Sequence, residues 1–251
     1  MAKDFVTIFV LDLVHLQFQK WSNHRVVVVC TLREAGGSNP PRDMRLPSLL
    51  FSKGIFAKIP FIAGTNLDEG TVFTQPSYNY TTELIESIII ANYSPPAVES
   101  VSESQLENAT KEILELYPAI PALGSPFNTG NDTFGLSPGF KRASAIIGDL
   151  LWHSQRRFWI QTASNAGVKT FGYLFTQPQP EDPPFLGVPH ISEVDYVYGN
   201  VANATESDTV LSTAMIDYWV SLPRAWTRTM ERVLPVLHGS STLLKIKYSY
   251  N

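Results

Sequence analysis

The stretch Lys58-Ile59-Pro60-Phe61-Ile62-Ala63-Gly64-Thr65-Asn66-Leu67-Asp68-Glu69-Gly70-Thr71 decides how the rest of the chain is read. Its first half, Lys58 to Gly64, is a short apolar run with Pro60 near its start, the pattern of a buried strand. Its second half turns directly into two adjacent carboxylates. A second apolar run, Lys169 to Phe175, predicts another strand. A proline-rich loop over 178–189 then delivers Gly187-Val188-Pro189-His190-Ile191-Ser192-Glu193-Val194-Asp195-Tyr196-Val197-Tyr198-Gly199.

Helical patterns fill the space between and after these strands. A helix over about 81–91 has a Thr cap with Glu83 and Glu86 in its opening turns, and another over about 102–116 is ended by Pro118 and Pro121. The longest, about 138–165, sets Phe140, Ala143, Ile146, Ile147, Leu150 and Leu151 at helical spacing. A last helix is predicted over about 208–221. Strands alternating with helices predict a parallel α/β sheet, in which functional groups sit on loops at the carboxyl ends of strands. Glu69 follows the first strand and His190 the second, so neighbouring parallel strands would join two loops that are 121 positions apart.

The acid turn Gly64 to Thr71 and the histidine loop Gly187 to Gly199 closely resemble the acid and base segments of type-B carboxylesterases, the family of fungal lipases and cholinesterases. Gly124-Ser125-Pro126-Phe127-Asn128-Thr129-Gly130 and Phe140-Lys141-Arg142-Ala143-Ser144-Ala145-Ile146-Ile147-Gly148-Asp149 are similar to the fungal lipase branch, and Arg45-Leu46-Pro47-Ser48 through Pro60 to the approach to the acid strand. The resemblance spans 43–222. It implies the C-terminal portion of an α/β-hydrolase fold, with few parallel strands and a large helical insertion. It implies hydrolysis of carboxylic or lipid esters through an acyl-enzyme, without cofactor or metal, in a secreted protein. In that chemistry a histidine takes the proton of a serine hydroxyl, and a carboxylate holds the imidazole in the right tautomer. The family order is Ser, then Asp/Glu, then His, so the resemblance makes Glu69 the acid and His190 the base, with Asp68 structural.

The nucleophile is absent from this chain. Gly135-Leu136-Ser137-Pro138-Gly139 satisfies the nucleophile-elbow pattern, but Pro138 has no N–H to offer an oxyanion, no buried strand precedes it, and Ser137 follows the acid. Ser137 instead reads as the N-cap of the long helix, with Pro138 as its first residue. Gly36-Gly37-Ser38-Asn39-Pro40 lacks the final glycine and reads as a turn. His153, beside Trp152, reads as a surface or boundary residue, and the five tryptophans as core. No cluster has metal-ligand spacing, and no phosphate loop or dinucleotide fingerprint is present.

Composition fits a globular protein: 251 residues, 44% hydrophobic and 17% charged, with a net charge of -4. Such a balance makes neither nucleic acid nor an anionic membrane an obvious partner. No run reaches a transmembrane length, Phe5 to Val14 makes a poor signal peptide, and the single Cys30 excludes an intrachain disulfide. Charge divides the chain. Residues 1–42 hold five Lys/Arg against three Asp/Glu, 43–222 nine against nineteen, and 223–251 five against one. Asn79, Asn92, Asn108, Asn131 and Asn203 begin N-glycosylation sequons, all within the acidic middle.

The expectation is therefore an unmatched segment over 1–42, the esterase portion over 43–222 and an unmatched tail over 223–251. The chain supplies acid and base, lacks the serine, and is expected to be inactive and aggregation-prone alone. The competing expectations are a non-catalytic interaction protein or a relic fragment of the esterase fold.

Overall fold

The computed structural model describes residues 9–11, 15–21, 24–30, 50–51, 53–93, 102–224 and 247–248. Most of the basic ends, 1–42 and 223–251, therefore lies outside the described residues. Strands β1 (Phe9–Leu11), β2 (His15–Trp21) and β3 (His24–Cys30) form one sheet in the order β1-β3-β2. The sheet that positions the site is β4 (Phe61–Asn66) beside β5 (Thr170–Phe175), with β6 (Lys247–Tyr248) on the far side of β5.

β4 and β5 are parallel and in register from Phe61↔Thr170 to Asn66↔Phe175. The ladder begins at Phe61, whose N–H reaches the Lys169 carbonyl, because Pro60 has no N–H to donate. The strand thus starts three residues later than the apolar run suggests. It is also less buried than expected, with only Thr65 and Asn66 fully enclosed. Beyond the strands the pairing continues, Leu67 N–H to Phe175 O and Asp68 N–H to Val188 O, which draws the acid turn and the histidine loop together.

Between these strands lie α1 (Thr82–Tyr93), opened by the Thr81 hydroxyl accepting the Leu84 N–H, and α2 (Glu103–Leu116), opened by a Ser102–Gln105 capping box. The long helix is interrupted. α3 (Phe140–Gly148) passes through a π-helical turn, Asp149–His153, into α4 (Ser154–Asn165). After β5 come α5 (Val194–Tyr198) and α6 (Glu206–Arg224).

The π turn corrects two expectations. One extra residue in a helical turn rotates the following face by about 100°. Phe140, Ala143, Ile146 and Leu150 face the core as the spacing predicts, but Leu151 is turned out to solvent. The same rotation carries Trp152 and His153 toward the end of β4. The helix also begins later than expected: Gly139, not Ser137, is its N-cap residue, and Ser137-Pro138-Gly139-Phe140 form a turn ahead of it. The Ser137 hydroxyl accepts the Tyr80 N–H at 3.0 Å and the Gly139 N–H at 3.3 Å, and donates to Asn79 Oδ1 at 3.2 Å. It therefore fastens the helix start to the segment before α1.

Two apolar clusters hold these elements. Ile85 and Ile89 of α1, Leu106 and Ile113 of α2, and Phe140 and Ile146 of α3 make the helical core. Tyr173, Phe175, Val188, Tyr196, Leu211 and Met215 pack β5, the histidine loop, α5 and α6 together. Each fully buried large side chain contributes about 1.5–3 kcal/mol. Among the described residues, no helix is long and apolar enough to cross a membrane.

Candidate active site

The acid turn is closed by hydrogen bonds within itself, from both backbone and side chains. Asn66 N–H donates to Glu69 Oε1 at 2.6 Å, and the Thr71 N–H and hydroxyl both reach the Asp68 carbonyl. The turn lies flat on α3, where a Cβ at Gly70 would run into the Ser144 carbonyl oxygen, so the position has no room for a side chain.

Asp68 is 2% exposed and faces away from His190. Its Oδ1 accepts from Ser125 Oγ at 2.7 Å and Phe127 N–H at 2.8 Å, and its Oδ2 from Val188 N–H at 3.0 Å. One carboxylate thus ties three segments together. Burial raises its pKa against the pull of these donors and of Lys141. Gly187 (φ +64) lets the histidine loop pass directly over it, since a Cβ there would meet Asp68 Oδ2.

Glu69 and His190 are brought together: Glu69 Oε2 lies 2.6 Å from His190 Nδ1. A carboxylate only accepts, so Nδ1 is the donor of this bond, and in the neutral imidazole Nε2 then keeps its lone pair. The carboxylate is 4% exposed and the imidazole 35%. Burial is the largest influence on Glu69 and raises its pKa, opposed by the Asn66 N–H and by His190, while the Glu193 carboxylate adds to the rise.

Aromatic rings border the histidine. Trp152 lies 4.9 Å from the His190 ring centroid and Phe73 5.5 Å, and the two stack on each other at 4.5 Å. The tryptophans were expected in the core, yet Trp152 stands beside His190 and Trp159 is half exposed; the π turn produces the first of these departures. His153 Nδ1 sits 3.2 Å from Thr65 Oγ1, and burial, with a contribution from Arg156, lowers its pKa to about 4. Ile191 follows His190 with φ +71, a left-handed conformation seldom adopted by a β-branched residue.

Several residues here escape sequence reading. Asn66 and Glu193 meet across 127 positions, with Asn66 Nδ2 2.6 Å from Glu193 Oε2. Asp149, in the π turn, accepts from the Tyr117 hydroxyl, and burial raises its pKa to about 6 against that bond. No periodicity flags either pair, and the one available signal is that Asn66 and Glu193 lie within the two recognised segments. All five sequon asparagines are exposed. Among the described residues, no group of three or more His, Cys, Asp or Glu is placed to hold a metal ion.

A parallel strand pair presenting a carboxylate–imidazole couple from two loops is the arrangement of an α/β-hydrolase. The carboxylesterase family model matches residues 42–224. The chain belongs to the carboxylesterase family, and its fold is part of an α/β-hydrolase with few parallel strands and several helices. It is 31% identical to the secreted triacylglycerol lipase LIP1 of Gibberella zeae over 162 residues, 62% of this chain and 26% of that protein. It is 34% identical to lipase 2 of Geotrichum candidum over 149 residues, 59% of this chain and 24% of that one. Against lipase 4 of Diutina rugosa the identity is 30% over 145 residues, 58% and 24% of the two chains. The chain thus spans about a quarter of the length of these relatives.

Proposed function

We propose that this chain carries the acid–base half of a serine-type carboxylic ester hydrolase. Glu69 is the acid that orients the imidazole, and His190 is the general base. The observation that carries this reading is the 2.6 Å contact between Glu69 Oε2 and His190 Nδ1. With Nδ1–H committed to the carboxylate, Nε2 is free to take a hydroxyl proton, and the carboxylate stabilises the imidazolium that results. His190 later returns that proton to the leaving alcohol.

The nucleophile is a serine outside these 251 residues, so the chain alone does not turn over. Ser137 does not fill the role, because its hydroxyl is engaged with Tyr80 and Asn79 and it precedes a proline. The substrates are carboxylic esters with an apolar acyl or alcohol group, including lipid esters. Half-exposed Phe73, Trp152 and the exposed Ile191 beside His190 support this class, as do relatives named as lipases. No cofactor, metal or nucleic acid enters this chemistry. The setting is extracellular, in keeping with a relative named as secreted, and the exposed sequons at Asn79, Asn92, Asn108, Asn131 and Asn203 carry N-glycans.

The test begins with the native transcript. An upstream frame encoding a glycine-bounded serine elbow, expressed with this chain, should hydrolyse p-nitrophenyl esters and be labelled by a phosphonate probe. In that protein His190→Ala should lower kcat by about 10⁴-fold or more, and Glu69→Gln by a smaller factor. Unchanged turnover in either variant rules out its assigned role. A transcript without such a frame, from a chain that binds no probe, would favour a non-catalytic interaction protein.

A further inference from the structure

We infer that Asn66 is the positioning residue of the Glu69–His190 pair, holding the acid through its main chain and the histidine loop through its side chain. This rests on the acid–base reading given above. The Asn66 N–H donates to Glu69 Oε1 at 2.6 Å and so fixes the carboxylate from the side opposite His190. One proton of its side-chain amide goes to the Pro189 carbonyl at 2.8 Å, the peptide immediately before His190. The other goes to Glu193 Oε2 at 2.6 Å, three residues after it. Three hydrogen bonds from one residue therefore grip both loops.

The Pro189 carbonyl is held unusually firmly. It accepts from Asn66 Nδ2, from the Ser192 hydroxyl at 2.8 Å and from the Ser192 N–H at 3.2 Å. That plane precedes His190, so fixing it fixes the backbone from which the imidazole reaches Glu69. Glu193 sets the amide in turn. Both neighbours of Nδ2 are acceptors, whereas Asn66 Oδ1 is buried with no donor among the described residues. The reversed amide would direct an oxygen at a carboxylate and a carbonyl, so only one orientation is tolerated. Asn66 is 1% exposed, which excludes water as a ready substitute for these bonds.

The experiment uses the full chain and reads the His190 Nδ1 proton by NMR, a signal shifted far downfield by a short bond to a carboxylate. Glu69→Gln comes first. Retention of the shifted signal there would remove the acid–base pairing itself. If the signal depends on Glu69, Asn66→Ala and Asn66→Asp decide the positioning role. The expected result is loss of the signal or about tenfold faster solvent exchange, the equivalent of one lost hydrogen bond. Ile113→Val, in the helical core, should lower the melting temperature and leave the signal in place. Asn66 variants that fold and keep the signal unchanged overturn the proposal while sparing the pairing. If they do not fold, the wild-type side-chain amide still decides. Its two protons should exchange slowly, and Glu193→Gln should move one of them upfield. Exchange at the rate of an exposed asparagine overturns the inference.

Discussion

The helical core between α1, α2 and α3 and the seam between the acid turn and the histidine loop are held by different forces. In the core, side chains such as Ile85, Ile113 and Ile146 are buried against one another, and the attraction is non-directional. In the seam, Asn66, Asp68 and Glu69 are equally buried but polar, and apart from Asn66 Oδ1 each of their polar side-chain atoms has a definite hydrogen-bond partner. A core of the first kind tolerates changes that preserve volume. A seam of the second kind tolerates very little, because a buried donor left without its acceptor costs more than the bond had contributed. Directional bonding is what a site needs if an imidazole must point one way.

The contrast is broken most directly at Asp68. Asp68→Ala leaves the Phe127 and Val188 N–H groups without an acceptor, and about 4 kcal/mol of stability should be lost in urea unfolding. A loss below that of a single surface substitution would show that the seam is not held by its hydrogen bonds. The matched change in the core, Ile113→Ala, should cost about 3 kcal/mol by leaving a cavity. Ile113→Val should recover most of that, whereas Asp68→Asn should recover only part of its loss, since the amide keeps one acceptor oxygen.

A pH titration sharpens the contrast at the boundary between the two regions. Burial raises the Asp149 pKa from 3.8 to about 6. A carboxyl with a raised folded pKa contributes stability that is complete below the unfolded value and is lost as pH rises through the folded one. Wild type and Asp149→Asn should therefore melt alike near pH 4. They should diverge toward pH 7.5, with the variant more stable by on the order of 2–3 kcal/mol. An unchanging difference across that range would contradict the burial argument. The smallest effect is expected at Ser137. Ser137→Ala should cost about 1 kcal/mol through the lost Tyr80 and Asn79 bonds. In an active full-length protein it should leave kcat intact, and a large fall in kcat would restore Ser137 as a candidate nucleophile.

Sequence reading succeeded wherever a single element carries its own signal. The strand before Gly64, the Ser102 helix start and the helix over α6 are visible because apolar spacing and capping are local. The family resemblance of two loops singled out Glu69 and His190, which lie 2.6 Å apart in the structure. Sequence reading missed where the phase of a helix changes. Nothing in Asp149-Leu150-Leu151-Trp152-His153 announces a π turn, so Leu151 was assigned inward and Trp152 to the core.

From the sequence came the α/β alternation, the objection to Ser137 that Pro138 has no N–H, and, through family resemblance, the acid and histidine loops. The first two need only local periodicity and covalent chemistry, and the third needs only short contiguous motifs. The tertiary structure alone decided that Asp68 ties Ser125, Phe127 and Val188 together, that Trp152 swings beside the imidazole, and that Asn66 reaches Glu193. These depend on how strand register, a helical phase shift and desolvation act together, and no stretch of sequence contains all three.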